Sequence, residues 1–295
     1  MKSRLILILL AETHIPDFAC KTATSHVGYT EQPLVNGRYN FVAVTLGEIG
    51  KDGMWNLNGN IGGKNLTGTD EDGDVAGMQK SDQIQIWDPT QGGAGGYTDF
   101  YFYDAEWDTD KEFYGWWSYL GEKVGRDIYQ DGLPTGSGMW ILKRDEGKES
   151  AIIPSGEVSN DPTITKRLYR SRYNQLSDPF PVRLNLNDAT QVEWTDSIGT
   201  DEDGDVAGMQ KSDQIQVWDA NQGGAGGYTD LYFYDAEWDT EKEFYGWWSY
   251  LGEKVGRDIY QTGFDVGQLF WYLPRGEFST DEDKMCAITF FNPIK

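Results

Sequence analysis

Residues 69–133 return at 200–264, 131 positions later, with only seven changes in 65 positions: Ile86/Val217, Pro89/Ala220, Thr90/Asn221, Phe100/Leu231, Asp110/Glu241, Asp131/Thr262 and Leu133/Phe264. A chain with that property must fold as two copies of one module. Repetition serves a binder or a structural array through effective concentration. It adds little to an enzyme, which rarely needs its whole site twice.

The match extends beyond this block. Gly136–Trp140 aligns with Gly267–Trp271 at the same offset, although the second copy lacks the second glycine. Upstream, Arg38-Tyr39-Asn40 recurs as Arg172-Tyr173-Asn174, now 134 apart, which a loop-length change accounts for. Gly156–Ser159 and Gly276–Ser279 read as the ends of the two copies. The expected organisation is an export signal or disordered tail at 1–26, β module 1 at 27–156 and β module 2 at 157–280. Residues 281–295 are then either the closing strand of module 2 or a truncated third unit. A terminal strand over Met285–Phe291 that pairs within its own chain could also pair with a neighbour, giving self-association through terminal strands.

The local pattern is β. Gln83–Trp87 alternates, with Ile84 and Ile86 on one face. Tyr97–Tyr103 is rich in strand-favouring aromatics. The glycine-rich Gly92–Gly96 between them reads as a hairpin loop. Arg38–Leu46 and Met139–Lys143 supply further strands. Thr109–Leu120 is the one helix candidate, and Gly115 and the lack of a 3.6-residue stripe count against it. The expected fold class is all-β: two tandem antiparallel sandwich or barrel-like modules related by internal duplication.

Of the formal charge of −23, the two 65-residue blocks carry −11 and −10. That field repels nucleic-acid phosphates and anionic headgroups, which excludes nucleic acid as a partner. No apolar run approaches the roughly 18 residues of a membrane helix, so no membrane span is expected. Residues 5–10 are apolar after Lys2 and Arg4, an atypical secretory signal. The two cysteines, Cys20 and Cys286, lie outside the repeated block, so no disulfide belongs to the module. Their pairing stays open.

Two site candidates stand out. Asp70, Asp72 and Asp74, repeated as Asp201, Asp203 and Asp205, alternate around a glycine and could supply oxygen ligands to calcium. Val75 follows the third acid, so the loop departs from an EF-hand. The plain alternative is an acidic turn bonding its own backbone. The second candidate is aromatic: Tyr101, Tyr103, Trp107, Trp116 and Trp117, with copies Tyr232, Tyr234, Trp238, Trp247 and Trp248. Tyr and Trp offer flat apolar area with a polar tip, suited to a sugar, a protein interface or a buried core.

Catalytic residues are not expected. The two histidines, His14 and His26, precede both modules, so no Ser-His-Asp or Cys-His site recurs in them. Acids are too abundant for a carboxylate pair to stand out.

At Gln83–Trp87, Tyr97–Tyr101, Gly136–Trp140 and Asp178–Pro181 the chain resembles a loose group of secreted bacterial β-repeat proteins. The group has no assigned activity, so the resemblance implies export and a β fold and no catalytic residue. The expectation is an extracellular or cell-surface structural or adhesive protein whose partner is a protein or glycan at the cell surface. The alternative is a calcium-assisted carbohydrate-binding protein.

Overall fold

The computed structural model describes residues 4–8, 27–47, 54–55, 57–58, 61–70, 79–118, 133–144, 150–201, 210–249, 264–276 and 285–294. It is all-β. Module 1 contains β1 (Arg4–Ile8), β2 (Val27–Leu34), β3 (Tyr39–Ala43), β4 (Met54–Trp55), β5 (Ile61–Lys64), β6 (Gln83–Asp88), β7 (Gly96–Tyr103), β8 (Gly115–Ser118), β9 (Leu133–Pro134), β10 (Gly138–Leu142) and β11 (Ser150–Glu157). Module 2 contains β12 (Thr163–Tyr169), β13 (Asn174–Leu176), β14 (Val192–Thr195), β15 (Gln214–Asp219), β16 (Gly227–Tyr234), β17 (Gly246–Ser249), β18 (Phe270–Leu273) and β19 (Met285–Phe291).

Each module has a five-stranded antiparallel sheet, β3-β10-β6-β7-β8 in one and β13-β18-β15-β16-β17 in the other. Registers match between copies: Trp87 faces Tyr97 across β6–β7, and Trp218 faces Tyr228 across β15–β16. The opposing sheets are β1-β2-β11-β5 and β12-β19-β14, and among the described residues no sheet closes into a barrel.

The core of each module lies between its two sheets. In module 1, Leu34 and Ile152 meet Ile84, Ile86, Phe100, Phe102, Trp116 and Ile141. In module 2, Leu168, Val192, Ile288 and Phe290 meet Ile215, Val217, Leu231, Phe233, Trp247 and Phe270. The alternation of β6 and β15 puts their branched aliphatics on this buried face. Cys286 sits in the same core, a buried free thiol whose pKa burial pushes up to about 12. At that value the reactive thiolate is scarce at neutral pH. Cys20 lies outside the described residues.

β19 pairs with β12 on one side and β14 on the other. It is therefore a central strand, and it offers no free edge to a neighbouring chain. Its counterpart is β11, which sits between β2 and β5. Gly156 lies within β11, whereas Gly276 precedes β19, so these two short motifs do not occupy equivalent positions. The described part of Thr109–Leu120 contains β8 and no helix. The exposed edge of β8 is clamped by an amide: Asn58 accepts from the Trp116 N–H at 2.8 Å and donates to its carbonyl. Asn187 does the same for Trp247.

The glycine-rich loop is a hairpin turn between β6 and β7, with Gly92 at φ 59 and Gly95 at φ 95. Gly95 has a second reason to be glycine. A Cβ there would overlap the Trp87 indole, and one on Gly226 would overlap Trp218.

Candidate functional site

The acid loops are described only at their first residues. Asp70 and Asp201 are exposed, and their carbonyls accept from the Tyr103 and Tyr234 hydroxyls at 3.3 Å. Asp72, Asp74, Asp203 and Asp205 lie outside the described residues. Among those described, no three His, Cys, Asp or Glu side chains come together as a metal site.

The aromatic set divides. Trp116 and Trp247 lie in the inter-sheet cores. Tyr101, Tyr103, Trp117 and their copies Tyr232, Tyr234, Trp248 are also buried, on the other face of the five-stranded sheet. The loop after β7 covers them there, with Phe113 and Phe244 packed against Trp117 and Trp248. These rings therefore face protein rather than solvent. Only Trp107 and Trp238 stand out, at 61% and 62% exposure.

Each exposed indole ends an aromatic ladder. Trp107 packs on Phe113, Phe113 on Trp117, and Trp117 on Tyr103. The acids of this loop hold its shape. Asp108 is buried and accepts from the Glu112 and Phe113 N–H groups at 2.9 and 2.7 Å. Lys111 bonds Asp104 and lies over the Tyr114 ring. Asp239, Lys242 and Asp235 repeat the arrangement. Part of the acidic field is thus loop scaffolding.

The two modules meet along a reciprocal seam. The Trp87 indole N–H donates to the Tyr173 carbonyl at 2.8 Å, and its copy Trp218 donates to the Tyr39 carbonyl at 3.2 Å. The Arg38 guanidinium donates to the Ala220 carbonyl at 2.6 Å, and Arg172 to the Pro89 carbonyl at 2.8 Å. Trp140 meets Trp218 edge-on at 5.2 Å, and Trp87 meets Trp271 at 5.3 Å. Each contact has a partner with the module roles exchanged, the signature of a two-fold, self-complementary interface. Phe41 stacks on both Trp140 and Trp271, and its own counterpart is Gln175.

This seam explains motifs that the sequence displays without their purpose. In Arg38-Tyr39-Asn40 the arginine crosses to the other module and the tyrosine carbonyl receives its tryptophan. Asn40 pins the turn, bonding Val35 and the Arg38 and Ile141 carbonyls. Asn174 makes the corresponding set. Trp87, Trp140, Trp218 and Trp271 were thus readable as repeated residues, but not as each other's partners. The recurrence of Trp140 as Trp271 outside the best-kept block was the available signal.

Among the described residues, no helix is long and apolar enough to cross a membrane. No protein-family model matches this chain, and neither a curated protein nor a solved structure matches it.

Proposed function

We propose that this chain is an extracellular or cell-surface structural or adhesive protein without catalysis. It would present two copies of one contact on a fixed frame. The observation that carries this reading is the fate of the repeated aromatics. Most of the described Trp and Phe are used internally, in cores or in the seam, while the same indole is left the most exposed aromatic of each module, Trp107 and Trp238, with Tyr97, Tyr114, Tyr228 and Tyr245 less so. Two equal weak contacts on one frame bind a surface far more tightly than either alone, by about 10²–10⁴ when the geometry permits both. Exposed Trp is a common anchor at protein interfaces and on sugars. Surface location rests on the resemblance to secreted β-repeat proteins; residues 1–26 lend it no support, because Arg4–Ile8 pairs with β2 in the module 1 sheet.

Beads coated with the protein and washed over the producing cells test this. The wild type should be retained, and Trp107→Ala or Trp238→Ala alone should lose most of that retention. Protease shaving of the cells separates a protein partner from a glycan. No retention of wild-type beads, or full retention of the double variant, overturns the reading. The calcium-assisted alternative is separated by the same assay in chelator, where only that alternative loses retention while both indoles are intact.

A further inference from the structure

Two clefts flank the seam at matching positions in the two copies. One, of about 450 Å3, is lined by Gln32, Phe41, Trp218, Asp265 and Gln268 among others. The other, of about 410 Å3, has Lys166, Gln175, Trp87, Pro134 and Ser137 in the corresponding places. Both fall within the size range of small-molecule sites. Their backbones correspond, but their chemistry does not.

In the first cleft the polar groups satisfy one another. The Gln32 amide donates to the Ala43 carbonyl at 2.9 Å and accepts from the Ala43 N–H at 3.2 Å. The second cleft is left with surplus donors. Lys166 donates to the Thr135 carbonyl, and no described carboxylate pairs with it. An ammonium has three N–H donors and no acceptor. The Gln175 Nε2 is buried and finds no acceptor among the described residues. A buried donor without a partner is costly, and a bound acceptor would recover that cost. Asp88 also lines this cleft, but it is exposed and its Oδ1 already accepts from the Thr90 N–H and hydroxyl at 2.7 and 2.6 Å. All this stands on a chain of net charge −23, so the donors of this cleft do not follow from bulk composition.

We propose that the Lys166–Gln175 cleft binds a small organic carboxylate, with its oxygens on Lys166 Nζ and Gln175 Nε2 and its apolar body against Trp87, Leu133 and Leu176. Burial without a counter-charge lowers the Lys166 pKa to about 8, and an anion seated beside it would restore the charged form. The duplication supports the assignment, because the same place in the other copy carries a self-satisfied Gln32.

Calorimetric titration of the full chain at mildly acidic pH tests this, with hexanoate against hexanol as the neutral match. Hexanoate should bind saturably and at least about tenfold tighter than hexanol, the discrimination expected when about 1.4 kcal/mol rests on the charged head. Lys166→Gln, which installs the residue of the other cleft, should erase that difference. Gln175→Leu should weaken hexanoate severalfold and leave hexanol unchanged or tighter, so a folding failure in one variant leaves the other decisive. N-acetylleucine in the same titration distinguishes a peptide C-terminus from a free acid as the source of the carboxylate. Equal binding of hexanoate and hexanol, no saturation by either, or undiminished hexanoate affinity in both variants overturns the proposal.

Discussion

Leu269 fills the space that Gly138 leaves open. A Cβ on Gly138 would overlap both Leu269 Cδ1 and Cδ2. The two residues are each other's counterparts, 131 positions apart, and they touch where the modules face one another. A perfect two-fold interface would put glycine against glycine and leave a gap, or leucine against leucine and clash. One of each packs. The duplicated chain therefore has an interface that two identical modules could not form, and the glycine missing from Gly267–Trp271 is the reason.

This pairing makes a measurable coupling. Gly138→Ala should destabilise the docked pair, and it should cost less in a Leu269→Ala background, where the overlapping methyls are gone. Relief will be partial, because the new Cβ also meets the Val42 carbonyl oxygen. Contacting residues typically couple by about 0.5–3 kcal/mol. Additive effects in chemical denaturation would show that the two side chains do not share this space.

The copies also differ in how they satisfy one buried acid. Lys143 sits 3.1 Å from Asp82, with neither side chain exposed to solvent. Asp82 is raised by burial, and the Arg144 and Thr67 N–H groups and Lys143 draw it back. In module 2 the position of Lys143 is Pro274, and the Tyr272 hydroxyl donates to Asp213 at 2.6 Å instead. Lys143→Met leaves a buried carboxylate without its counter-charge and should cost about 3–5 kcal/mol. Tyr272→Phe removes one hydrogen bond to a charged group and should cost about 1–3 kcal/mol. Calorimetry that ranks Tyr272→Phe as the more harmful would contradict this.

Asp178 gives the pH dependence a sign. It is buried, and burial raises its carboxyl to about 7, opposed by the hydrogen bond from the Phe180 N–H. The folded state therefore holds a proton that the unfolded state releases in the ordinary carboxylate range. Its contribution to stability is whole below that range and is lost as pH rises through about 7. The loss is on the order of 4 kcal/mol. Asp178→Asn keeps the oxygen that accepts from Phe180 and removes the charge. Stability measured from pH 4 to 8 should fall less steeply in the variant and should exceed wild type at pH 8. Parallel profiles would assign the slope elsewhere.

How much of this was legible follows from the range of each interaction. Gln83–Trp87 and Gly92–Gly96 announced a strand and a hairpin because alternation and glycine conformation are local. The burial of Tyr101 and Tyr103 was not legible. Residue type alone does not say whether the second face of a sheet is covered, and the covering loop is held by Asp108, whose acid reads as surface charge. The seam was not legible either. Trp87 and Tyr173 lie 86 positions apart, and no local pattern joins them. The open donors of Lys166 and Gln175 emerge only when the copies are compared position by position in space.

The Gly92–Gly96 loop supplies a test with its own control. Gly92 and Gly95 both have positive φ, so alanine at either should pay a left-handed backbone cost of about 1 kcal/mol. Nothing lies within 4 Å of a Cβ on Gly92, whereas one on Gly95 would overlap the Trp87 ring. That ring donates to the Tyr173 carbonyl and packs on Trp271 across the seam. Gly95→Ala must move the indole and so should loosen the docking of the modules, while Gly92→Ala should cost only the backbone strain. The excess should be about 1–3 kcal/mol, the range of a buried hydrogen bond plus an aromatic pair. Module 2 repeats the experiment, with Gly223 open and Gly226 against Trp218. Thermal melts followed by tryptophan fluorescence should place Gly95→Ala and Gly226→Ala together, below Gly92→Ala and Gly223→Ala. If all four variants melt alike, the loop owes its glycines to the turn alone and the seam does not depend on them.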